Sequence, residues 1–218
     1  MEATAMAVRL NFEIRFRFHS GFHTTGDRAE LWMDKAIALD WYEGKNPIIP
    51  ATSIKGWLRE NAERVLRALE HEVCDASQPA MICGKCIVCE IFGHPRKKAL
   101  LVFEDATLEE SLTDNRTNVS LSRHRKTAYE ERLFTTEVAW GQNFIVKGSG
   151  FFETKRKAKE AVAILWVASK LGFALGASRS RGLGWLELES FNARCDGAAV
   201  EIEKLAQIVN DWRGEKGA

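Results

Sequence analysis

The chain has no apolar run approaching the roughly 18 residues that a membrane-crossing helix needs. Its first stretch, MEATAMAVRLNFEIRFRF, alternates apolar and charged positions and holds no continuous core of a secretory signal, so a cytoplasmic protein is expected. An excess of either charge is missing too. Lys and Arg number 31 against 30 Asp and Glu, leaving a formal net charge of +1. A surface that is basic all over is thereby excluded, and a polyanion would have to meet a local patch. Internal repeats and low-complexity linkers are absent as well. One domain over residues 1–218 is expected, and 45% hydrophobic content is ample for its core. Cysteine is scarce, and four of the five lie between Cys74 and Cys89. That crowding argues for a metal cluster and against a disulfide framework.

What is present begins with a strict alternation. Val8, Leu10, Phe12, Ile14, Phe16 and Phe18 are apolar, and Arg9, Asn11, Glu13, Arg15, Arg17 and His19 between them are polar. A period of two predicts a long, half-buried strand whose polar face is either solvated or turned to RNA. Residues 20–52 show no clean period and form a long excursion of a kind that is usually functional.

The stretch IPATSIKGWLRENAERVLRALEHE then predicts a helix, with Thr52 or Ser53 able to cap it. Ile54, Trp57, Leu58, Ala62, Val65, Leu66 and Leu69 share one face. Lys55 and Arg59 near its start oppose the helix dipole, which fits an external anion or a solvated charged face.

The segment at 71–98 carries Cys74, Cys83, Cys86 and Cys89 in the spacing C-x8-C-x2-C-x2-C. Four thiolates so spaced can close a tetrahedral, structural Zn²⁺ site with no open position for catalysis, with His71 or His94 as an alternative ligand.

A short strand at 100–106 precedes a basic arm at 111–135 bearing Arg116, Arg123, His124, Arg125 and Lys126. Its first half reads as extended and basic, and strand character returns at Leu133–Phe144 and again over 143–153. Ala158, Ala161, Ile164, Leu165, Ala168 and Leu171 mark a second amphipathic helix. A strand at Trp185–Ala193 and a short helix at Ile202–Trp212 follow. The order is βαββαβ, an α+β plan of the ferredoxin-like (RRM-like) kind with insertions at about 20–52, 71–98 and 111–135.

Between the second helix and the last strand lies LGFALGASRSRGLGWLEL, Leu171–Leu188. Its glycines free the backbone for positive φ and close approach. Exposed N–H groups of such a loop can form an anion nest, to which Arg179 and Arg181 add bidentate donors. A helix C-cap leading into a basic surface turn is the plainer reading.

Four of these stretches together resemble the RAMP superfamily of CRISPR proteins, in order and over about residues 8–192. They are IPATSIKGWLRE, CGKCIVCEIFGH, NRTNVSLSRHRKTAYEERLFTTEVAWGQNF and the glycine loop. The chain is most similar to the backbone subunits of type III, RNA-targeting effector complexes. The resemblance implies a RAMP fold and a subunit that stacks head to tail along a guide RNA, with like subunits, other effector proteins and a complementary target RNA as partners. Lys55, Arg59, Gly176, Ser178, Arg179, Arg181 and Gly182 would hold the RNA backbone. Arg116, Arg123 and Arg125 would belong to a thumb that displaces guide bases. In that group an Asp after the first strand supports Mg²⁺-dependent cutting of the target, and Asp34 falls at the matching place among Asp27, Glu30 and Asp40. Ala51 and Asn118 depart from the family pattern, where glycine is commoner. Two other readings stand beside this one: an architectural subunit without chemistry, and a metal-independent processing nuclease using His19, His23 or His124.

Overall fold

A computed structural model describes residues 7–78, 81–108 and 110–214. The chain runs through β1 (Val8–Phe18), β2 (Ile48–Ile49), α1 (Ala51–Ala68), α2 (Ile87–Phe92), β3 (Leu101–Phe103) and β4 (Ala106–Thr107). It continues through β5 (Leu112–Leu121), β6 (Ala128–Trp140), β7 (Asn143–Phe152), α3 (Lys155–Leu171), β8 (Leu186–Cys195), β9 (Ala198–Ala199) and α4 (Ile202–Gly214). The protein is α+β, as expected.

The main sheet is antiparallel, in the order β3-β7-β1-β8-β9. The alternation in β1 is realised in full: its six apolar side chains are buried and Arg9, Glu13 and Arg17 face solvent. Helices α1 and α3 cover the apolar face. Phe16 meets Trp57 of α1 edge-on at 5.4 Å and stacks on Phe144 of β7 at 5.3 Å. Buried Ala158, Ala161 and Ala168 keep α3 slim where it lies against its neighbours. Strands joined by a helix are not adjacent. β7 lies between β1 and β3, which α1 connects, and β1 lies between β7 and β8, which α3 connects.

The start of α1 differs from expectation. Neither Thr52 nor Ser53 caps it; Pro50 occupies the cap position. The Ala51 amide is met instead by the Asp105 carboxylate at 2.6 Å, from a loop 54 residues away. Helix α3 is capped locally, by the Thr154 hydroxyl accepting from the Lys157 amide at 3.2 Å.

The basic arm is a two-stranded ribbon, β5 paired with β6, standing apart from the main sheet. Expected strand character at Leu133–Phe144 is divided by a break at residues 141–142, which ends β6 and lets β7 enter the main sheet. Among the described residues no helix is long and apolar enough to cross a membrane.

Candidate nucleic-acid interface and metal centre

The glycine loop is held in place by α1 and by the chain just after β1. Trp57 Nε1 donates to the Ala174 carbonyl at 2.8 Å. The Gly184 amide donates to Gly21 O at 2.7 Å, and the Ala177 amide to His23 O at 2.8 Å. At Gly184 φ is +74°, and a Cβ there would stand 1.8 Å from Leu175 O. Only glycine fits that crossing. Ser178 then takes a left-handed conformation (φ +58°) and leads into a 3-10 turn at Arg179–Arg181. Among the described residues the amides of Ser178, Arg179 and Ser180 find no acceptor. They are left for an external one.

Arg179 reaches across to Glu60 of α1 at 3.5 Å. Between them is a groove of about 360 Å³ lined by Thr24, Ser53, Gly56 and Gly176 as well as this pair. The ribbon closes on the same loop. Arg116 Nη1 donates to the Arg181 carbonyl at 3.4 Å, and the Arg181 guanidinium lies 5.9 Å from the Phe134 ring. The structure thus brings Gly176, Ser178, Arg179, Arg181, Gly182 and Arg116 together. Arg123 and Arg125 are elsewhere, at the ribbon tip, in a turn closed by Lys126 N–H donating to Ser122 O. Lys55 faces a different cleft on the other side of Gly56.

Arg59 turns away from the groove. Its guanidinium donates to Glu63 Oε1 (2.9 Å), Gly93 O (2.7 Å) and Cys89 Sγ (3.4 Å). Glu63 is buried and also accepts from Arg67 (3.1 Å) and the Ala76 amide (3.1 Å). This pair ties α1 to both flanks of the cysteine segment.

Around it the sulfurs of Cys74, Cys83, Cys86 and Cys89 all lie within 4.8 Å of one another, with neither histidine in the group. Cys74 is 3.7 Å from Cys86 and 3.3 Å from Cys89. Tetrahedral thiolates about 2.3 Å from a zinc ion would be roughly 3.8 Å apart, so the donor set fits a metal such as zinc. Amides of Lys85 and Cys86 donate to the Cys83 sulfur and pull its thiol down to about 6; burial pushes Cys89 up to about 12. A central cation favours the thiolate at all four.

The carboxylates of the excursion have separate fates. Asp34 is exposed at the base of the ribbon, its Oδ2 accepting from the Thr135 amide at 2.7 Å. Asp40 is spent on its own turn, accepting the amides of Asn46, Glu43, Lys45 and Gly44, which hold its carboxyl down at about 2. Glu30 pairs with Arg28 at 2.9 Å. His23 is buried, its Nδ1 donating to Glu137 O and its Nε2 accepting from Thr25 Oγ1. It serves the core. His19 pairs with Glu187 on the sheet, and His124 is at the ribbon tip.

Residues 42–187 match the RAMP superfamily. The chain belongs to that superfamily. In fold this RAMP protein is similar to a chain in the cryo-EM structure of the type III-B Cmr-beta bound to cognate target RNA, with a TM-score of 0.59 at 17% identity. The match covers 85% of this chain and 60% of that one, so the RAMP chain spans well under the length of its neighbour. Among curated proteins none matches it.

Sequence reading missed Glu60, Glu63 and Trp57, all on α1. Trp57 was visible as an apolar position, but its indole N–H needs an acceptor once buried, and that signal was available. The two glutamates gave none, because i,i+4 charge pairs on a helix are usually solvated.

Proposed function

We propose that this RAMP protein is an RNA-holding backbone subunit of a type III CRISPR effector complex, working in the cytoplasm. One set of contacts carries the reading: the glycine loop faces α1 across a groove spanned by Arg179 and Glu60, touches the ribbon through Arg116, and leaves the amides of Ser178, Arg179 and Ser180 for an external acceptor such as phosphate. Such contacts fix a backbone without reading bases. A guide whose sequence changes requires that indifference, since pairing supplies specificity in RNA-guided systems.

The strand order β8-β1-β7-β3, with α1 and α3 as crossovers, is read as the ferredoxin-like split βαβ plan. The cysteine tetrad is assigned a structural Zn²⁺, which contributes folding energy and no chemistry. Like subunits stack head to tail along the guide, a heterologous contact that gives an open filament. The RNA-bound state of the Cmr neighbour supports the RNA-holding part of this reading.

Asp34 is the residue we assign to target cutting. Its carboxylate is exposed beside the ribbon, where a displaced base would leave the target backbone splayed. Mg²⁺ held there and by a target phosphate would supply charge neutralisation, retaining most of its waters. The competing reading keeps the RNA grip and drops the chemistry, and one observation favours it: Asp34 already has a structural task at Thr135. Incubating a guide-loaded complex with labelled complementary RNA, with Mg²⁺ or EDTA, separates them. Regular cuts that need Mg²⁺ and vanish in Asp34→Asn establish the nuclease. Intact target with retained binding establishes the architectural subunit.

A further inference from the structure

Within the excursion after β1, the stretch WYEGK at 41–45 is folded into a fixed knob. The Asp40 carboxylate accepts the amides of Glu43 (2.6 Å), Gly44 (3.2 Å), Lys45 (3.2 Å) and Asn46 (2.8 Å). Trp41 and Tyr42 stand out from this turn, 89% and 83% exposed, edge to face at 5.9 Å. Glu43 and Lys45 are exposed beside them. Among the described residues no ion pair engages either one.

The polar face of the main sheet holds a second feature. It sinks into a depression of about 630 Å³ with Arg9, Glu13, Glu104, Lys147, Asn192 and Arg194 in its wall. Further along the same face Arg17 pairs with Glu189 and His19 with Glu187. In the depression both signs of charge are left open. No ion pair engages Arg9, Glu13, Glu104, Lys147 or Arg194 among the described residues, although Glu13 stands opposite Lys147 in register. Exposed Phe151 and Val102 border it, opposite Arg9 and Ser149 in register.

We infer that the knob of one subunit docks in the sheet depression of a second copy of this chain. The inference rests on the head-to-tail stacking proposed above and gives that stack its two surfaces. Three considerations support it. First, the chemistry is complementary: Trp41 and Tyr42 match Phe151 and Val102, Glu43 matches Arg9 and Arg194, and Lys45 matches Glu13 and Glu104. Second, a heterologous contact needs two different, separated patches on one chain, and then repeats from copy to copy. The knob is rooted near the start of β7: Pro47 O accepts from the Leu108 amide at 3.0 Å, and Leu108 bridges Phe144. The depression lies at Lys147–Ser149, and Ser149 is roughly 17 Å along the strand from Phe144. Third, aromatic side chains on a preformed turn lose little freedom on docking, and Trp and Tyr are frequent anchors of interfaces. The pair would bury about 300–500 Å², the anchor of an interface and not its whole extent.

The test is sedimentation velocity of the full chain with an excess of long oligouridine, on which subunits scatter unless neighbours attract. A knob variant, Trp41→Ala/Tyr42→Ala, is compared with a face variant, Lys147→Glu/Arg194→Glu. Wild type is expected to run as multi-subunit clusters. Each variant alone should run as single-subunit complexes, its neighbour affinity lowered about thirtyfold or more. Binding to a short oligouridine that holds one subunit should be unchanged at about 0.15 M salt. Mixing the two variants should restore pairs and nothing longer, because the face variant keeps its knob and the knob variant keeps its face. A folding defect is not rescued by mixing. If both variants cluster like wild type, or the mixture forms no pairs, these surfaces do not meet and the inference fails while stacking stands. If the face variant loses affinity for the short oligouridine, the face is an RNA surface and the inference fails. If wild type itself scatters, the stacking reading falls, and the inference with it.

Discussion

Asp34 and Thr135 hold each other twice, through Asp34 N–H to Thr135 O at 3.1 Å and Thr135 N–H to Asp34 Oδ2 at 2.7 Å. The carboxylate that the family resemblance marks for cutting therefore also fixes the excursion to the base of the ribbon. Removing it tests two things at once unless the substitution is chosen with care. Asn keeps an acceptor oxygen for Thr135 and loses the charge; Ala loses both. Asp34→Asn is expected to keep the wild-type melting temperature and RNA affinity, and Asp34→Ala to lose about 1 kcal/mol, as for one hydrogen bond. Thermal unfolding of the three proteins checks this. Equal destabilisation by Asn and Ala would mean that charge, not the hydrogen bond, holds the junction.

Glu63 links α1 to the cysteine tetrad, so its loss should be felt at the metal. Glu63→Gln leaves Arg59 without its ion-pair partner in a setting that is mostly buried, which typically costs about 3–5 kcal/mol. It should also speed zinc release to a chelator, since outer partners hold metal ligands in place. Chelator competition followed by a coloured zinc indicator measures the rate. Unchanged release together with lowered stability would confine Glu63 to the helix.

Replacing Cys86 by Ser should lower zinc content and melting temperature together, because structural zinc stabilises the fold directly. Elemental analysis beside thermal unfolding decides it. A wild-type protein whose melting temperature ignores EDTA would end the zinc assignment.

His23 sets a pH dependence. Burial lowers its pKa below the usual 6.5, and the neutral ring satisfies Glu137 O and Thr25 Oγ1. Its contribution to stability is fully present above about 6.5 and is lost as pH falls through the lower folded value. The melting temperature should decline on acidification below about 6.5, and the decline should be shallower in His23→Gln. Parallel curves for the two proteins would assign the acid sensitivity to other groups.

How much of this was legible in the sequence depended on where each partner lay. Strand β1 was readable to the residue because its apolar face needs only the sheet's own period. Helix α1 was readable by face, except that Leu69 is only partly buried. Its cap was not, because Asp105 comes from a distant loop. The arm hid a ribbon: β5 is exposed over nearly its whole length, so no apolar alternation marks it. The excursion had no period because isolated bridges, such as Phe22 to Ala139 and Lys35 to Thr136, hold it in place of a ladder. The cysteine cluster could be read from spacing alone, whereas the turn of Arg59 toward it could not. Lys55 and Arg59, one helical turn apart, end on different tasks: one faces an open cleft and the other is fixed to Cys89.

The measurement that tests the central claim most directly is RNA affinity as a function of salt, for wild type and Arg179→Ala/Arg181→Ala, on several unrelated single-stranded sequences. The RNA-holding account predicts similar affinity for every sequence. It also predicts a uniform loss in the variant, with a slope shallower by about 0.7 for each phosphate contact removed. Wild-type binding that depends strongly on base sequence, or an unchanged affinity and slope in the variant, would contradict it.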